Sequence, residues 1–147
     1  MESQSSQTWG LGAVPGIAMR VAYVDSSCFI AVSLDEPGSG VLLERLSRFD
    51  RLFSSNLLEA ELRSALTREG RYGRIRNFIT WIRWVLPRRR LTPEIEQILK
   101  VGWSKGPDLW HLACALFLRP DVNDPLFFLT LDGKQGEIAR SLGFRGL

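Results

Sequence analysis

The chain has 147 residues, 45% of them hydrophobic and 24% charged, the profile of one globular domain with a core large enough to fold alone. No apolar run approaches the roughly 18 residues of a membrane span, and "MESQSSQTWGLGAVPGIAMR" lacks the basic start and long apolar stretch of a signal peptide, so a cytoplasmic protein is expected. The net charge of +3 conceals a basic segment from Arg68 to Arg90, where eight arginines face one acid, Glu69, for a local +7 against −4 elsewhere.

Residues 1–19 read as a flexible lead-in, with Met19 a candidate natural start, ahead of one domain over 20–147. "RVAYVD" is a short apolar, β-branched run and predicts a first, central strand. "SSCFIAVSL" predicts a short helix stopped by "DEPGSG", "GVLLERLSRF" a second helix, and "DRLFSS" a weak strand. "SSNLLEAELRSALTREG" carries helix punctuation: Ser or Asn to cap, Glu59 to close a capping box with Asn56, and Gly70 to end it. "GRIRNFITWIRWVL" predicts an amphipathic helix running to Pro87, with "RRRLT" as a short edge strand behind it.

"TPEIEQILKVGW" opens with a Thr cap and a proline at the first helical position. "GPDLWHLACALFL" is apolar nearly all the way round and predicts a buried helix. "DPLFFLTLD" predicts a strand, "GKQGEIARSLG" a helix ending at Gly143, and "FRGL" a last short strand. Strands alternating with helices imply an α/β fold, with a parallel sheet of four to five strands covered on both faces. Cys28 and Cys114 lie in apolar surroundings and read as reduced core residues.

Two buried strands end on a carboxylate, Asp25 and Asp132. In open parallel sheets ligands bind at the carboxyl ends of strands, where the strand order switches, so these two charges converge if their strands are neighbours. Each is equally suited to cap a helix. Asp108 falls in the first turn of the most apolar helix, where the macrodipole favours an acid and where its burial points it to a cleft. On the helix from Asn56, Glu59 points to the polar side with Arg63 four residues on, whereas Glu61 falls at the edge of the buried stripe.

Carboxylates that converge raise one another's pKa, and a divalent cation removes that cost. An all-oxygen ligand set selects Mg2+ or Mn2+, and one histidine with two distant cysteines offers no zinc site. His111, three residues after Asp108, reads as a packed histidine or a hydrogen-bond partner of that acid.

These residues resemble a known family. "VAYVDSSCFIAV", "SSNLLEAELRSAL", "GPDLWHLACALFL" and "FFLTLDGKQGEIARSLGF" are similar, in order and rough spacing, to the four motif blocks of PIN-domain nucleases, closest to VapC-type toxins of type II toxin–antitoxin systems. The resemblance spans about residues 20 to 147 and implies a PIN-like (Rossmann-like) three-layer α/β/α fold. It places the acidic quartet on Asp25, Glu61, Asp108 and Asp132, with Ser26 and Thr130 as supporting hydroxyls. It further implies Mg2+- or Mn2+-dependent cleavage of RNA, leaving a 3′ hydroxyl and a 5′ phosphate. A cognate antitoxin and a homodimer are the implied partners. Gly133 and Gly136 depart from the family pattern after the fourth acid.

Other readings stay open. A stand-alone RNA-processing nuclease would share the fold. A receiver-type phosphoacceptor also carries acids at strand ends, but Asp25 is followed by Ser26 and Ser27 rather than a second acid, and its candidate lysine, Lys134, comes close behind Asp132. A non-catalytic binding module would rest on the basic segment. If that segment is helical, Trp84 projects away from the apolar face and Trp81 from its flank, and Trp84, Arg88, Arg89 and Arg90 become contacts for RNA or a partner.

Overall fold

A computed structural model of the chain describes residues 19–123 and 125–147. The lead-in expected over 1–19 therefore lies, up to residue 18, outside the described residues. Four strands, β1 (Val21–Val24), β2 (Arg51–Ser55), β3 (Ile82–Val85) and β4 (Leu126–Leu129), form one parallel sheet in the order β3-β2-β1-β4. Ala22 of β1 stands beside Leu52 of β2 and Phe127 of β4, so β1 is central, as its unbroken apolar sequence requires.

Successive side chains on each strand serve opposite faces. Val21 and Tyr23 join Phe53, Val85, Leu126 and Phe128 in one buried cluster, while Ala22 and Val24 join Leu52, Ile82 and Leu129 in another. The first cluster is closed by α5 (Thr92–Val101), α6 (Gly106–Leu118) and α7 (Gly133–Ser141); the second by α1 (Ser26–Ser33), α2 (Ser39–Ser47), α3 (Asn56–Arg68) and the single turn α4 (Arg76–Ile79). The result is three layers, α/β/α. Cys28 and Cys114 sit in different clusters as buried free thiols, and burial pushes both thiol pKa values up. Among the described residues no helix is long and apolar enough to cross a membrane.

The segment expected to run as one helix from Gly73 to Pro87 does not. After a 3-10 turn at Tyr72–Arg74 and α4, the chain extends into β3, the edge strand beside β2. Ile82 packs on one face of the sheet and Val85 on the other. A spacing of three marks a shared face in a helix but opposite faces in a strand, which is how the pattern misled.

Trp84 is half-buried against the second cluster, whereas Trp81 is the more exposed ring, edge-on to Phe29 and Phe78. "RRRLT" forms no strand, because Leu91 turns inward to precede α5. "FRGL" contributes a single parallel bridge, Arg145 to Phe127. Ser55 rather than Asn56 caps α3, leaving Glu59 to pair with Arg63 at 2.8 Å, and α5 has no side-chain cap from Thr92.

Candidate active site

The connection from β1 runs outward through β2 to β3, and the chain then returns to place β4 on the other side of β1. The switch in strand order thus falls between β1 and β4, where a crevice opens beyond their carboxyl ends. Asp25 is the first residue past β1; Thr130 and Asp132 follow β4.

Both aspartates do cap helices. Asp25 Oδ1 accepts from the backbone N–H of Ser27 at 3.1 Å and from its hydroxyl at 2.5 Å, and Asp132 Oδ1 accepts from Gln135 N–H at 2.8 Å. Capping does not explain the rest of the arrangement. Thr130 donates from Oγ1 to Asp25 Oδ2 at 2.5 Å, lies 3.0 Å from Gln135 Oε1, and accepts from the Asp132 N–H at 3.0 Å. Gln135 in turn donates through Nε2 to the Asp108 backbone carbonyl at 3.2 Å. This chain ties the end of β1, the end of β4, the start of α7 and the first turn of α6 into one unit.

A second chain brings in Glu61. Ser26 donates to Glu61 Oε1 at 2.7 Å, and His111 Nε2 lies 3.2 Å from the same oxygen and 3.1 Å from Ser26 Oγ. On its other side His111 Nδ1 is 2.7 Å from the Tyr23 hydroxyl, which accepts the Ser55 N–H at 3.2 Å. Hydrogen-bond accounting fixes the histidine tautomer. The Glu61 carboxylate can only accept, so Nε2 carries a proton and donates to it; in the neutral ring Nδ1 then accepts from the Tyr23 hydroxyl. His111 is a buried link between the cap of α3 and the acid on the same helix, not a partner of Asp108's carboxylate.

The charges respond to this setting. Burial holds the Asp25 carboxyl above the usual range, despite hydrogen bonds from Ser27 and Thr130 that favour its charge. Asp108 is also raised, first by burial, with the charges of Asp132 and Glu61 pushing the same way and Lys105, 4.0 Å from its Oδ2, opposing them. Glu61 is lowered, chiefly by the His111 hydrogen bond and then, against the cost of burial, by Ser26. Asp108 feels the charges of both Asp132 and Glu61, while Asp25 is joined to them through hydrogen bonds, by way of Thr130 to Asp132.

Among the described residues no three His, Cys, Asp or Glu side chains close into a ready-made metal cage. The donor set still suits Mg2+ or Mn2+, because such ions keep several waters and bind through one or two carboxylates with substrate phosphate. Glu61 takes both its hydrogen bonds on Oε1 and Asp132 takes its one on Oδ1, which leaves the other oxygen of each for a ligand. A cavity of about 170 Å³ lies between Asp108 and Asp132, and a groove along α3, lined in part by Ile30, Leu34 and Ala60, reaches Glu61.

Ser26 bonds Glu61 and Thr130 bonds Asp25, and Ser27, Tyr23, Gln135 and His111 complete the network. His111 stands out in the sequence as a packed histidine, and Gln135 lies three residues past an aspartate at a helix start. Arg89 is held by Glu94 through two bonds of 2.9 and 2.7 Å, with its guanidinium over Phe117; Arg88 and Arg90 are exposed, far along the chain from the acids. Lys134 lies over the ring of Trp103.

The family model described as PIN domain matches residues 22–139, a span that contains all four acids. No curated protein matches the chain.

Proposed function

The chain belongs to the PIN-domain family, whose members are generally metal-dependent nucleases, and from that premise we propose a divalent-cation-dependent endoribonuclease acting on single-stranded or structured RNA. What supports the proposal is the hydrogen-bond network that ties the elements bearing Asp25, Asp108 and Asp132 together beyond the carboxyl ends of β1 and β4, with Glu61 bonded to Ser26 beside Asp25. Asp25 and Asp108, raised in pKa by burial, are the acids most relieved by a cation; Glu61 and Asp132 would complete its shell or orient water. A bound Mg2+ or Mn2+ supplies an acidified water and offsets charge on the phosphoryl oxygens.

The protein's own contribution is positional. Ser27 and Thr130 fix both oxygens of Asp25, and the Ser55–Tyr23–His111 relay holds Glu61 ionised and aimed. The Gln135 amide pins the first turn of α6, and with it Asp108, to the start of α7. The experiment is incubation of single-stranded RNA with the protein and Mn2+. Cleavage that stops with EDTA or with Asp25→Asn supports the reading; equal cleavage by Asp25→Asn defeats it.

At a finer level the protein is proposed to be the toxin of a toxin–antitoxin pair, a homodimer silenced by its antitoxin. The exposed Tyr72, Trp81 and Leu86 around α4 and β3 support this reading as an apolar partner surface within the basic segment. A small adjoining reading frame whose product binds the chain and blocks cleavage tests it; cleavage indifferent to that product favours a stand-alone RNA-processing enzyme.

A further inference from the structure

Trp103, in the loop between α5 and α6, is 68% exposed, more than any other large apolar side chain among the described residues. One exposed ring is ordinary on a protein surface. This one shares its cavity with Ser104, Lys105, Asp108, Asp132 and Lys134, and the Lys134 ammonium lies 4.8 Å from the ring centroid. Lys134 belongs to the first turn of α7, two residues past the Asp132 cap, and Lys105 directly precedes α6. Two cations, one of them over the ring, and a largely exposed indole therefore stand at the rim of the cavity between Asp108 and Asp132.

We propose that Trp103, Lys105 and Lys134 form a nucleotide subsite of that crevice, in which one base of single-stranded RNA stacks on the indole while the lysines meet its flanking phosphates. The inference rests on the nuclease reading and deepens it. An acidic crevice repels a polyanion, so productive binding needs positive charge and sequence-tolerant contact nearby, which is what an aromatic platform with cations gives. The surroundings argue against a protein partner, since interface cores are depleted in Lys, Asp and Ser, the residue types that line this cavity.

The test measures affinity for a fluorescein-labelled single-stranded RNA by anisotropy, with the full chain carrying Asp25→Asn and Mn2+ present. Trp103→Ala should weaken binding about 5- to 100-fold and Trp103→Phe much less, with unchanged melting temperature. An abasic nucleotide in the oligonucleotide should reproduce part of the Trp103→Ala loss. Unchanged affinity in Trp103→Ala overturns the subsite, as does a loss seen only in self-association or in binding to a protein. Cleavage by the native chain that survives Trp103→Ala with the same KM sinks the subsite and spares the nuclease reading. Trp103-dependent binding without any cleavage does the reverse.

Discussion

Replacing Asp25 with Asn should abolish activity and at the same time make the protein more stable at neutral pH. The carboxylate is 4% exposed, and its burial raises its pKa. In the native chain the single proton of Thr130 Oγ1 goes to Asp25 Oδ2 at 2.5 Å, so Gln135 Oε1, 3.0 Å away, faces an oxygen with no proton to offer.

An asparagine resolves the conflict. Its carbonyl keeps both bonds from Ser27, its amide donates to Thr130, and Thr130 turns its proton to Gln135. Asn caps α1 as well as Asp, at a loss of roughly 0.3–1 kcal/mol in macrodipole attraction. Set against relief of a buried charge, the net gain expected is about 0.5–2 kcal/mol, the usual yield when a functional compromise is removed. For a domain of this size that is about 2–6 °C in melting temperature.

The assay is thermal unfolding of both proteins in EDTA, since an ion bound to the native chain would stabilise it separately. The pH dependence has a definite sign. Asp25's folded pKa is raised, so its penalty is absent below the ordinary aspartate range, grows as pH rises past that range and is complete once pH exceeds the folded value. The advantage of Asp25→Asn should therefore shrink as the pH is lowered. A variant destabilised at pH 7, or an advantage that widens on acidification, would refute the reasoning.

His111→Ala leaves the Tyr23 hydroxyl without its acceptor in a fully buried site and opens a cavity, so urea unfolding should show a loss of about 2–4 kcal/mol. Glu61, lowered in pKa mainly by His111 and then by Ser26, contributes stability that is present above the ordinary glutamate range and lost as pH falls through its folded value. Ser26→Ala should move that loss to higher pH, read by NMR titration of the Glu61 carboxyl. If the exposed Arg88 and Arg90 meet the RNA backbone, Arg88→Ala combined with Arg90→Ala should flatten the salt dependence of affinity by roughly 0.7 for each phosphate they neutralise; an unchanged slope removes them from the interface.

Most of the scaffold was legible in the sequence. β1 and β4 announce themselves as apolar runs ending in acids, and α6 as a helix apolar on every side, because a strand or helix enclosed by protein needs no polar face. β3 was hidden because Ile82 and Val85 serve two cores, a pattern identical to one helical stripe. Asp25 and Asp132 stand out at strand ends, Asp108 at a helix start and Glu61 at the edge of a buried helical stripe, and the family resemblance groups them. The bonds that link them were not legible. Tyr23 and His111 meet across 88 positions and Thr130 reaches Asp25 across 105, contacts that exist only once the sheet order is set. Trp103 was equally mute, since nothing in a loop sequence says which rings stay outside.

The claim beneath all of this is that carboxylates from four elements jointly capture one kind of ion. Titrating Mn2+ into the native chain, followed by electron paramagnetic resonance, tests it most directly. The account predicts bound ion that disappears when Asp25→Asn and Asp108→Asn are combined in a chain that still melts cooperatively. Equal Mn2+ uptake by that double variant would contradict it.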